Sequence, residues 1–189
     1  MTERLNKVYH RENISFAENI LKVLIDPNFY TAYQRTMDYY GEIVTSFSSF
    51  DNERGNPLEK VVSNYIVNLY DDRIQDFMKR NNLYTNGTYS WNCWWQMYDP
   101  NVVNSKHPRH DHYASGENVE FSFVHFLKTN GDKCFRFIGD YGENYDYVNE
   151  EDGDLIFFPS WAAHEVLPAK SGVRAVISGN IMITEHSSW

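Results

Sequence analysis

From about residue 84 the chain changes texture, and no other feature constrains its fold as much. Five runs, SWNCWWQMY (90–98), VEFSFVHFL (119–127), KCFRFI (133–138), DLIFFP (154–159) and VRAVISGNIMI (173–183), are aromatic or β-branched and bounded by Gly, Pro, Asn or Asp. Such runs read as strands. They follow one another too closely for helical crossovers, which leaves antiparallel pairing. Asn86-Gly87, just ahead of the first run, is a hairpin-turn dipeptide.

Upstream the period is helical. Ser15 with Glu18 three residues later forms a capping-box pattern before NILKVLID. Phe29, Tyr33, Met37, Tyr40, Val44 and Phe47 recur at spacings of three and four, one face of a second helix. Pro57 sits where a third helix begins, with Leu58, Val61, Tyr65, Leu69 and Phe77 on its apolar side. These stripes read as faces packed on a sheet. Helices first and strands afterwards give an α+β class: one domain over 1–189, a helical support region (1–82) and a β core (83–189), sandwich or barrel, backed by helices.

Charge narrows the partners. A net charge of −9 with no basic run argues against a nucleic-acid backbone. No apolar run approaches a membrane span. The start, MTERLNKVYH, is polar and mixed in charge, unlike a signal peptide. Cys93 and Cys134 stand apart in no CxxC pair, which fits a reducing, cytosolic setting. Asn86-Gly87-Thr88 therefore reads as a turn rather than a glycosylation acceptor.

The chemistry gathers in HPRHDHY (107–113), which holds three of the chain's 7 histidines. On an extended chain His110 and His112 leave the same face, and His107 and Asp111 point elsewhere. Two imidazoles begin a metal site, and a third ligand has to come from a distant strand. His164, just past DLIFFP, is the candidate, at the rim of a pocket. Ten residues further on, Arg174 shares a strand face with Val176, Ser178 and Asn180, while Val173, Ala175 and Ile177 are apolar and Ile181 follows a slip in phase near Gly179. An arginine in so apolar a strand needs a carboxylate, which its planar fork grips at two points. Its partner is either one of the chain's 26 acidic residues or a ligand carboxylate.

These residues carry a resemblance. GDLIFFPSWAAHEVLPAKSGVRAVISGNI resembles the C-terminal core of the short bacterial and tailed-phage members of the 2-oxoglutarate/Fe(II) dioxygenases, and HPRHDHY followed by FSFVHFL resembles their upstream half. The likeness covers about residues 90 to 183. It implies a double-stranded β-helix (jelly roll), with the helices packed outside. It implies that His110 and His164 bind Fe(II), that Arg174 binds the distal carboxylate of 2-oxoglutarate, and that Tyr98 and Ser178 face the same cavity. Asn180 matches the Asn closing the last strand. O₂ is then the cosubstrate, ascorbate a supporting reductant, and the reaction hydroxylation of a peptide side chain or small molecule with release of succinate and CO₂. The setting is the cytoplasm of a bacterium or of a phage-infected cell.

The chain departs from that pattern at His112, where most members have Asp, and at Phe126, where the prolyl-hydroxylase branch often has Tyr. Either His112 ligates, giving a neutral three-histidine site, or Asp111 bends in. Two other readings compete: a zinc hydrolase or lyase site, and a jelly-roll binding domain without catalysis. If Arg174 serves a ligand, it should face the metal without being locked to a carboxylate of the chain itself.

Overall fold

The computed structural model describes residues 10–26, 44–45, 57–83, 88–101, 105–113, 118–139 and 145–184. In chain order the elements are β1 (His10–Asn13), α1 (Glu18–Leu24), β2 (Val44–Thr45), α2 (Pro57–Arg80), β3 (Thr88–Tyr98), β4 (His107–His110), β5 (Val119–Lys128), β6 (Phe135–Ile138), β7 (Tyr145–Tyr147), β8 (Asp154–Pro159), β9 (His164–Val166) and β10 (Arg174–Thr184). They form a six-stranded sheet, β1-β8-β5-β10-β3-β2, and a four-stranded sheet, β4-β9-β6-β7. Every pairing is antiparallel.

Period-two alternation splits the apolar residues into two cores on opposite faces of the larger sheet. Phe123 and Leu127 of β5, Leu155 and Phe157 of β8, and Ala175, Ile177 and Ile181 of β10 face outward, where Leu24 of α1 and Ile66, Tyr70, Ile74 and Phe77 of α2 cover them. Phe77 lies stacked on Phe157, ring centroids 4.6 Å apart. Each such side chain, fully buried, contributes about 1.5–3 kcal/mol. The intervening residues Val124, Phe126, Ile156, Phe158 and Val176 face inward and meet Phe135, Phe137 and Val166 of the smaller sheet. The layers are thus helix, sheet, sheet, and the functional residues line the space between the two sheets.

Several expectations change. The five strand runs all form strands, but β1, β4, β7 and β9 are only three or four residues long, too short to show alternation in the sequence. The capping box does not form: α1 begins one residue past Ala17, which stands at its N-cap without a side-chain cap. Glu18 is therefore the first helical residue and not the third. Instead the Ala17 N–H donates to Tyr65 Oη at 2.9 Å, tying α1 to α2. Val44 lies on β2 opposite Met97 rather than on a helix; Phe29, Tyr33, Met37, Tyr40 and Phe47 fall outside the described residues, as does Asn86-Gly87. The third helix does begin at Pro57. No slip of face occurs at Gly179, since Ile181 joins Ala175 and Ile177 in the outer core. Gly179 is there for space: an added Cβ would lie 2.3 Å from Phe123 Cζ and 2.5 Å from the Asn92 carbonyl oxygen.

Candidate metal centre

β4 and β9 are neighbours in the smaller sheet, and His110 pairs directly with His164. Paired residues share a face, and their ring centroids are 4.2 Å apart. Between His107 and His110 the register shifts against β9. Such a bulge re-aims side chains, and it overturns the expectation that His107 points elsewhere. His107 Nδ1 lies 2.9 Å from His110 Nδ1. Beyond β4 the chain bends, and the His112 N–H donates to the Ser160 carbonyl at 2.9 Å. That contact turns His112 back to 5.3 Å from His164, ring to ring and nearly parallel. One ligand nitrogen each from His110, His112 and His164 then lies within 4.8 Å of the other two. Two nitrogens about 2.1 Å from one ion are at most about 4.2 Å apart, so a small inward shift closes the site. Asp111 is exposed, and its Oδ1 accepts the Tyr113 N–H within a local turn.

Hydrogen bonds fix which nitrogen of each ring carries the proton. His164 Nδ1 lies 2.8 Å from the Ala162 carbonyl, which can only accept. The proton is therefore on Nδ1, and Nε2 presents its lone pair. His110 Nδ1 is likewise 2.8 Å from the Pro108 carbonyl, so His107 Nδ1 accepts and His110 Nε2 is the free lone pair. His112 is hydrogen-bonded to the Asn180 side chain, whose Oδ1 also accepts from Ser122 Oγ–H at 3.0 Å. Burial is the main cause that lowers all four histidines: His107 to about 3, His112 to about 4, His110 below its ordinary value and His164 well below it. The neighbouring imidazoles push His107, His112 and His164 further down. Near neutral pH the rings are uncharged, the form in which imidazole ligates a metal.

The three histidines open on a cavity of about 440 Å³, counted out to its mouth, which Arg174, Tyr98, Gln96 and Ser178 also line. Arg174 is fully buried, with its guanidinium 5.5 Å from the Tyr98 ring and 5.9 Å from the Phe126 ring. The expectation that no carboxylate of the chain engages it is not met: Arg174 Nη2–H donates to Glu150 Oε1 at 2.9 Å. The engagement is partial, because Arg174 Nε and Nη1 are buried and find no partner among the described residues. Tyr98 Oη–H and Ser178 Oγ–H both donate to Gln96 Oε1 at 3.2 Å. Burial raises the Tyr98 hydroxyl above its ordinary value, and Arg174 partly offsets this.

No protein-family model and no curated protein sequence matches the chain. Solved structures do. A prolyl-4-hydroxylase from Pseudomonas putida superposes with a TM-score of 0.68 at 15% identity, covering 97% of each chain. A Trichoplax adhaerens prolyl hydroxylase, solved with a hypoxia inducible factor oxygen degradation domain peptide fragment, gives 0.66 at 16% identity over 95% of this chain and 86% of that one. The viral collagen prolyl hydroxylase of Paramecium Bursaria Chlorella virus-1, in its 2OG complex, gives 0.62 at 15% identity over 94% and 97%. The fold is that of the 2-oxoglutarate/Fe(II) oxygenases.

Within that oxygenase fold, the structure brings His110, His112, His164, Arg174, Tyr98 and Ser178 onto one cavity and sets Asn180 against His112. Sequence reasoning missed Gln96, His107 and Glu150. Gln96 had a signal, as a polar residue two positions from Tyr98 on the same strand face. Glu150 had none: it sits in NEEDGD beside Glu151 and Asp152, both exposed, while Glu150 itself is fully buried.

Proposed function

We propose that this chain is a 2-oxoglutarate- and Fe(II)-dependent oxygenase that hydroxylates a peptide side chain or a small molecule, releasing succinate and CO₂. One observation carries the reading: three histidines, His164 buried and His110 and His112 partly so, converge on the same cavity that is lined by a buried arginine with two donors unpartnered among the described residues. Neutral imidazoles on an open face suit a first-row divalent metal. His110, His112 and His164 would hold the iron. Bound there, iron(II) supplies, with 2-oxoglutarate and O₂, the oxidising power that inserts oxygen into a substrate C–H bond.

The chain's own residues set the geometry. The Pro108 and Ala162 carbonyls and the Asn180 side chain orient the three rings, the partnering that ligand histidines require. Arg174 receives the distal carboxylate of 2-oxoglutarate. Whichever Nη2 hydrogen Glu150 takes, one two-donor edge of the guanidinium stays open. Tyr98 and Ser178, held through Gln96, flank that end. Phe126, Phe135, Phe158, Val166 and Val176 exclude water, which strengthens each polar contact inside. The Trichoplax neighbour's peptide favours a peptide side chain as substrate, and the net charge of −9 favours a basic one.

We read residues 1–189 as one domain, with 1–82 supporting the core of 83–189. Among the described residues no helix is long and apolar enough to cross a membrane. Cys93 and Cys134 are buried free thiols, consistent with the reducing cytoplasm in which we place the protein.

The Arg174–Glu150 pair keeps a second reading in play, because it gives the arginine a purpose without any ligand: a three-histidine zinc site for hydrolysis or lyase chemistry. Succinate formation separates the two. Protein supplied with Fe(II), ascorbate and 2-oxoglutarate should release succinate, faster with a suitable substrate. Protein that binds zinc but neither binds nor turns over 2-oxoglutarate favours the zinc site.

A further inference from the structure

Glu150 lies behind the cavity wall, and Arg174 forms part of that wall. Three N–H donors hold Glu150 Oε1, each at 2.9 Å: Cys134 N–H, Phe135 N–H and Arg174 Nη2–H. Its second oxygen, Oε2, is buried and finds no partner among the described residues. Two backbone donors therefore fix the carboxylate from β6 and its preceding loop, independently of Arg174, so it cannot withdraw when a ligand arrives. Asp132 also faces the arginine electrostatically, but it is only half-buried and occupied by the Lys170 and Ser171 N–H groups.

The charges then add up unevenly along the cavity. Three neutral imidazoles leave the full charge of a divalent metal at one site, while Glu150 already neutralises the guanidinium at the other. A ligand that chelates the metal through a 2-oxo carboxylate meets undiminished attraction there. A second carboxylate placed on Arg174 meets a net charge near zero and the like charge of Glu150 on the other Nη2 hydrogen. Uncharged polar tails lose nothing by this arrangement, since Arg174 Nε and Nη1 still need acceptors and a carbonyl or hydroxyl oxygen satisfies them.

We propose that Glu150 is a specificity-determining residue: by sharing Arg174 from behind, it reduces the preference of the cavity for a dianionic 2-oxo acid over a 2-oxo monocarboxylate of the same length. This rests on the metal and 2-oxo-acid reading above. It goes beyond that reading in naming the class of cosubstrate that the cavity tolerates and the residue that sets it.

The test is calorimetric titration of 2-oxoglutarate and of its 5-methyl ester, whose uncharged carbonyl keeps an acceptor for Arg174, into iron(II)-loaded protein without oxygen, for wild type, Glu150→Gln and Arg174→Ala. Gln keeps an acceptor for the two backbone donors and removes the charge. Close charge pairs couple by about tenfold or more in affinity. Wild type should prefer the diacid by less than about tenfold, and Glu150→Gln should raise that preference about tenfold by tightening the diacid alone. A preference unchanged in Glu150→Gln, or both acids weakened together, overturns the proposal and leaves Glu150 a structural anchor. If Glu150→Gln fails to fold, the wild-type ratio decides, and a diacid preference above about 100-fold overturns it. Metal-dependent binding of neither acid by any of the three proteins overturns the oxygenase reading itself, a result distinct from an unchanged ratio.

Discussion

Asn180 shows how a residue outside the ligand set shapes the site. Its Oδ1 is held by Ser122 and its side chain meets His112, so it helps to fix that ring, which also lies stacked near Trp94. Asn180→Ala should lower iron(II) affinity about 10–100-fold, the usual cost of losing such a partner, with little change in the melting temperature of the metal-free protein; competition against a chelator measures it. Arg174→Ala should weaken 2-oxoglutarate by at least about tenfold, because it removes the fork and leaves the charge of Glu150 uncompensated beside the ligand, and it should leave metal affinity intact. Arg174→Lys should recover only part, since an ammonium cannot present a planar fork. That His110, His112 and His164 come together was legible because their spacing and residue types are rare together. Glu150 was not, because nothing in a run of acids says which one the fold will bury.

At the scale of elements, the bulge in β4 decides more than the strand's length suggests. Four residues on β4, His107 to His110, oppose three on β9, His164 to Val166, which moves His107 onto the side of His110. Single-sequence alternation cannot foresee a bulge, so the face of His107 was misassigned while those of His110 and His112 were assigned as found. The long strands fared better: β5, β8 and β10 are mostly buried and read as aromatic and β-branched runs whatever their partners. Gly179 marks where β10 passes under Phe123. Gly179→Ala should destabilise the protein by about 1–3 kcal/mol through overpacking, seen as a lower urea midpoint at unchanged slope. Tyr70→Phe on α2 should cost about 1–3 kcal/mol, because Tyr70 Oη and His125 Nδ1 are partners at 2.8 Å in the outer core.

For the whole molecule, two cores share one sheet, so the outer core sets the stability of the cavity. His125 sits in that outer core, fully buried, with Nε2 3.1 Å from the Ile14 carbonyl. Burial lowers its pKa to about 4, against an ordinary value near 6.5. Between those values the unfolded chain takes up a proton that the native chain refuses. Stability is therefore complete above about pH 6.5 and falls as pH drops toward 4, by up to about 1.4 kcal/mol per unit and about 3 kcal/mol in all for this one group. Metal-free His107 and His112 act in the same direction. Urea midpoints of metal-free protein between pH 7 and 4 should fall accordingly, and a flat profile contradicts a neutral buried His125. The antiparallel β core was readable from the strand periods, but not that β1 and β2, inside the region read as helical, join its larger sheet. The pairing of the ten described strands into two sheets was not legible, since it depends on contacts between residues more than a hundred positions apart, such as His10 with Phe157.

The central claim is that one cavity holds both a metal on three histidines and a 2-oxo acid on Arg174. Titrating 2-oxoglutarate without oxygen into metal-free protein, iron(II)-loaded protein and iron(II)-loaded Arg174→Ala tests both halves together. Saturable binding should appear with iron(II), be weaker by at least about tenfold without it, and weaken comparably in Arg174→Ala. Equal affinity in all three, or no binding in any, contradicts the account.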